Sequence, residues 1–180
     1  MAKRAAVAGG LVALALGGCS SLGGTADPVS RAPCPQIAIL AEAADLTRHR
    51  PGGGTDLSAM VVDARVTGFS ASCDFARRGA GLDVTVTPRF WVERGPAGGP
   101  AADLPWLLSV VDPARADVTA QARQVTRVTF PGAAGQVEAS GAAVTIRIPG
   151  EAAEAARQQV LIGFALTPDE LALNRRRGVR

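Results

Sequence analysis

The sequence predicts an all-β domain. Three observations carry that reading: a long period-two run, a parity switch at a glycine, and regularly spaced turn residues. Leu82, Val84, Val86, Pro88, Phe90 and Val92 alternate with Asp83, Thr85, Thr87, Arg89, Trp91 and Glu93. Successive side chains on a strand point to opposite faces, so this run turns one face to a core and the other to solvent. Pro88 has no N–H to give a ladder, which predicts an edge or a bulge at that point. From Val61 to Phe75, Val62, Ala64 and Val66 are apolar at even positions, whereas Phe69, Ala71, Cys73 and Phe75 are apolar at odd ones. A β-bulge at Gly68 keeps both halves facing the same core.

Further strands are expected at Trp106 to Val111, at Asp117 to Phe130 in two pieces, at Ala142 to Ile148, and at Val160 to Leu166. The last is apolar on both faces, as a central strand would be. Gly79-Ala80-Gly81, Gly95 to Pro100, Asp112-Pro113, Pro131-Gly132 and Pro149-Gly150 separate the runs as turns. About seven short strands so spaced predict an immunoglobulin-like β-sandwich, with a small β-barrel as the alternative. Ile37 to Leu46 fits a helix stripe and a strand; we read it as a first strand fraying toward Pro51-Gly52-Gly53-Gly54. Thr167-Pro168-Asp169-Glu170 is a helix start, with Thr as N-cap and Glu placed to close a capping box. A short C-terminal helix to about Arg176 follows, its arginines where the dipole favours cations.

Composition agrees. Twenty-one glycines and twelve prolines among 180 residues suit many turns, and aromatics at 4% with no tyrosine leave the core to Val, Ile, Leu and Ala. The formal charge of +3 drops to +1 if Lys3 and Arg4 are removed with a leader, so the pI of about 9.2 gives no reason to expect nucleic-acid binding.

Lys3 and Arg4 followed by the apolar run Ala5 to Leu16 read as a signal peptide, too short to span a bilayer. Leu16-Gly17-Gly18-Cys19 resembles the bacterial lipobox, in which a Leu and two small residues precede a Cys that receives a diacylglyceryl group before cleavage. The resemblance implies a signal peptide over 1–18 and lipidation at Cys19. It also implies sorting to the outer membrane, because Ser20 rather than Asp follows the Cys. Residues 19–33 read as a lipidated flexible tether, spanning roughly 20 Å on average, ahead of a domain over 34–180.

With Cys19 taken by lipid, Cys34 and Cys73 remain as an even pair in an oxidising compartment and are expected to form a disulfide. Closing that loop of about 40 residues is credited with about 4 kcal/mol in the chain-entropy model. A metal pair would need further His or Cys ligands, and none lies nearby in sequence. His49, the single histidine, falls in Thr47-Arg48-His49-Arg50-Pro51 and reads as a solvated loop residue. No Gly-x-Ser-x-Gly elbow nominates a serine for it to activate. Pro51-Gly52-Gly53-Gly54-Thr55 lacks the Gly-Lys-Ser/Thr ending of a phosphate loop, and the acidic residues are scattered as singles. No catalytic residue, metal site or cofactor is therefore expected. Trp91 falls on the outward face of its strand, and exposed Trp is enriched at binding hot spots. Arg175, Arg176 and Arg177, with Arg180, form a cationic end. Trp91, Arg175, Arg176 and Arg177 make up the expected contact surface.

Cys34-Pro35-Gln36-Ile37-Ala38-Ile39-Leu40, Val92-Glu93-Arg94-Gly95-Pro96-Ala97 and Gly163-Phe164-Ala165-Leu166-Thr167-Pro168-Asp169-Glu170-Leu171 make the chain resemble a family of uncharacterised Gram-negative envelope lipoproteins. The resemblance implies no assigned activity, ligand or catalytic residue; the expected localisation is the cell envelope, lipid-anchored at the outer membrane and facing the periplasm. The sequence thus reads as a non-catalytic, lipid-anchored binding or structural module. Its partners would be the membrane through the anchor and an envelope protein or polymer. A periplasmic hydrolase with an unrecognised site is the alternative.

Overall fold

The computed structural model describes residues 32–77 and 80–178. The leader, Cys19, residues 20–31 of the tether and Arg180 lie outside them.

Two sheets face each other as a β-sandwich. One has four strands in the order β1 (Gln36–Ile39), β9 (Gln159–Phe164), β5 (Ala101–Asp112), β6 (Asp117–Thr129). The other is ordered β2 (Asp45–His49), β3 (Met60–Phe75), β4 (Gly81–Arg94), β7 (Gln136–Ser140), and β8 (Val144–Pro149) also pairs with β4. The sheets stay open, which sets the barrel alternative aside. α1 (Ala152–Ala155) and α2 (Pro168–Arg177) are the two α-helices among the described residues.

The core is made by alternation. Leu82, Val84, Val86, Phe90 and Val92 from β4 meet Leu104, Trp106 and Leu108 from β5 and Ile162 and Phe164 from β9, all nearly inaccessible. The Phe90 ring stacks on Phe164 at 5.5 Å between centroids and tilts against Trp106 at 6.3 Å. Aromatics are few, but these three sit together, where each buries most area.

The parity switch in β3 is real: pairing with β4 shifts register between Val66 and Gly68. Phe69 and Cys73 pack against the core, whereas Ala71 and Phe75, also expected to face it, are exposed, Phe75 by 48%. Pro88 marks no edge, but the register shift of the β3–β4 pair between Val66 and Gly68, opposite Phe90 and Arg89, lies beside it. β4 is central, and Pro88 sits where its partner changes from β8, paired through Val86, to β7, paired from Arg89, so no ladder bond is required of it. Its carbonyl accepts from the Gly141 N–H at that seam.

Other expectations need correction. Residues 37–46 form no single strand: β1 runs parallel to β9, a 3-10 turn at Ala41–Ala43 follows, and β2 begins in the opposite sheet. The ambiguous periodicity reflects that crossing. β6 is one strand rather than two, bent by an irregularity between Val110 and Val111 of its partner. β5 starts at Ala101, and β7 and α1 went unread, leaving nine strands among the described residues. The α2 start is as expected: the Glu170 N–H donates to Thr167 Oγ1, and Glu170 Oε2 accepts from the Thr167 N–H at 2.7 Å.

Cys34 and Cys73 are bonded, with Cα atoms 5.5 Å apart. The bridge ties the chain entering the domain to the far half of β3, and Cys73 packs against the core.

Candidate interaction surface

The outward residues of the five-stranded sheet form rows across its strands. Register places Asp45, Arg65, Trp91 and Glu138 in one row, on β2, β3, β4 and β7. Thr47, Asp63, Glu93 and Gln136 form the next. Each residue is outward because its neighbours Leu46, Val62, Ala64 and Val92 point into the core.

α2 closes one side of this face. Asn174, buried beneath it, donates from Nδ2 to the carbonyls of Glu42 and Asp45 at 2.9 and 2.8 Å. Arg177 donates to Thr47 Oγ1, which in turn donates to Asp63. Arg65 pairs with Asp45 through Nε at 2.8 Å. Thr47, Asp45 and Asp63 are all buried, so these polar groups hold one another in place under the helix, as buried polar groups must.

Beside that network Trp91 lies half-buried in a depression of about 550 Å3 lined with Asp63, Arg65, Thr67 and Glu93. Arg89, two residues earlier on the same face, lays its guanidinium over Gly68; a Cβ there would meet Nη2 at 3.0 Å. The expected outward placement of Trp91 therefore holds.

The arginine run divides. Arg175 pairs with Glu42 at 2.9 Å, and its hydrogen bond and charge hold the Glu42 carboxyl below its ordinary range. Arg177 belongs to the Thr47 network. Arg176 turns to a cleft of about 530 Å3 between α2 and β2, together with Arg48, His49, Asp169 and Leu173. The run is thus no single cationic patch; it fans around a short helix.

His49 is not in a loop. It is the last residue of β2, half-buried, and it lines that same cleft. Two carboxylates, Asp169 and Glu170, line the cleft with it, but no serine or cysteine does. Glu170 is committed to Arg48 at 2.8 Å and to the helix cap. Among the described residues, no three His, Cys, Asp or Glu side chains gather as metal ligands.

Sequence reasoning found Trp91 and missed Asp45, Thr47, Asp63, Arg65 and Asn174. The alternation of Asp63 and Arg65 with Val62, Ala64 and Val66 marks them as outward. Nothing local shows that a helix more than a hundred residues later packs on Asp45 and Thr47 beside them. No protein-family model, curated protein or solved structure matches the chain.

Proposed function

We propose that the protein is a non-catalytic, lipid-anchored module of the cell envelope that binds an envelope protein or polymer through the outward face of its five-stranded sheet. The carrying observation is Trp91: a large aromatic held on a central strand, outward, among ordered charged groups of both signs. A side chain so placed contributes little to the core and much to a contact. The lipobox resemblance at Leu16-Gly17-Gly18-Cys19 supports the anchor, and Ser20 supports the outer membrane. Two or more acyl chains hold a protein stably at a bilayer, and confinement there raises its effective concentration toward partners on the same surface.

Two measurements test this. Mass spectrometry of the mature N-terminus is expected to find acylated Cys19; an unmodified terminus elsewhere contradicts the anchor. Trp91→Ala is expected to weaken partner capture in crosslinked native envelopes while the domain stays folded. The hydrolase alternative draws on the cleft that holds His49 with Asp169, and a hydrolytic turnover abolished by His49→Ala would replace the present reading.

A further inference from the structure

We infer that the Trp91 depression is a carbohydrate subsite for a neutral oligosaccharide, an inference that rests on the outward face being the binding surface. The chain has two tryptophans and no tyrosine, and it uses the two oppositely. Trp106 is fully buried, packed on Phe90, with its indole N–H donating to Thr126 at 3.0 Å. Trp91 stands on the other side of the sheet. Among the described residues its ring pairs with no aromatic and carries no cation, and its N–H has no acceptor.

The surroundings of the indole select the ligand class. The centre of a protein–protein interface is apolar and depleted of charge. Trp91 is instead ringed by Asp63, Arg65, Thr67 and Glu93, with Arg89 next along the strand and Glu138 directly across on β7. A sugar ring matches this arrangement. Its C–H face is weakly positive and lies against the negative face of an indole. Its hydroxyls each donate and accept, so they use carboxylate acceptors and guanidinium donors together.

Acids outnumber bases on this face: four carboxylates, from Asp45, Asp63, Glu93 and Glu138, stand against two guanidinium groups, from Arg65 and Arg89. A polyanion is repelled by the acids and a polycation meets the arginines, whereas a neutral polyol uses acceptors and donors of both kinds. Arg65 commits Nε and Nη2 to Asp45, leaving Nη1 for a ligand. The volume lies within the range of about 300–1,000 Å3 typical of small-ligand sites. The platform is preorganised, because β4 is paired on both sides and the polar groups beneath α2 are already tied together.

The test is a titration of the folded, disulfide-bonded protein with chitotetraose and cellotetraose, read by acrylamide quenching of tryptophan fluorescence. Buried Trp106 contributes little to quenching, so the signal is that of Trp91. Saturable protection of Trp91, unchanged between low and high salt, is the expected result. Trp91→Ala is expected to raise the Kd at least about tenfold, and Trp91→Phe, which keeps an aromatic face, far less. Glu93→Gln is expected to raise it a few-fold, giving a second variant outside the aromatic platform. Absence of saturable protection by either sugar up to about 20 mM overturns the inference. So does a preference for an acidic polymer that salt abolishes. If the sugars fail while Trp91→Ala still loses envelope crosslinks, the binding surface stands and its partner is a protein. If both fail, the proposed function falls as well.

Discussion

The β3–β4 and β5–β6 hairpins are of similar length, but both β3 and β4 are interior to their sheet whereas β6 is an edge, and their second strands differ sharply. On β4, Leu82, Val84, Val86, Phe90 and Val92 have no accessible surface. On β6 only Val128 is buried, while Val118 and Val125 are 60% and 63% exposed. The cause is position. β4 is paired on both sides, whereas β6 is the edge of the four-stranded sheet and offers the core mainly Ala120, Ala122 and Val128. The outward faces differ in the same sense. That of β4 carries Trp91, Glu93, and Asp83 paired with Arg147, next to a buried polar network under α2. That of β6 carries exposed Arg123, Val125 and Arg127 with only short-range or surface pairings. Order on the outward face, not exposure alone, is what distinguishes the proposed binding surface.

The largest expected effect breaks the core side of this comparison. Phe90→Ala should cost about 3–5 kcal/mol in denaturant unfolding, because the cavity opens between Phe164 and Trp106, whereas Val125→Ala should stay within about 0.5 kcal/mol. Equal costs would mean that β6 is buried by something else. Cys73→Ser should cost about 2–5 kcal/mol, and wild-type protein under reducing conditions should show the same loss. Asn174→Ala strips one buried and one part-buried carbonyl of their donor and should cost about 1–3 kcal/mol, loosening α2 and the Thr47–Asp63 network together. Amide exchange on β2 would report the loosening, and unchanged protection there would separate the helix from the site. The smallest effect is on pH dependence. The Arg147 hydrogen bond holds the Asp83 carboxyl below its ordinary 3.8. The stability this contributes is therefore present above 3.8 and lost as pH falls through the lower folded value. Arg147 is exposed and Asp83 half-buried at the surface, so solvent screens the pair and Asp83→Asn should change the acid-unfolding curve only slightly, and only above that value.

The legible parts of the sequence were those where one physical rule acts alone. β4 alternates cleanly because one face is core and the other solvent, and the α2 start is visible because a capping box is local. The Cys34–Cys73 pair followed from counting thiols. β6 misled because its core-facing side is mostly Ala, which gives no hydrophobic alternation. Pro88 was open to an edge reading because a seam between two partner strands frees an N–H position as an edge does. The reading of residues 37–46 failed at a crossing between sheets, where neither period persists. At the candidate site, Trp91 was legible from parity alone. Asn174 was not, nor was the pairing of Arg177 with Thr47, because Asp45 and Thr47 are about 130 residues away and only the fold brings them together.

The central claim is that the outward face of the five-stranded sheet binds and that of the four-stranded sheet does not. Site-specific photocrosslinking in the native envelope compares them directly, with the photoreactive residue at Glu93 in one variant and at Arg123 in the other. The account predicts a discrete crosslinked product from position 93, lost when Trp91→Ala is added, and none from position 123. Crosslinks from position 123 with none from position 93 would contradict it.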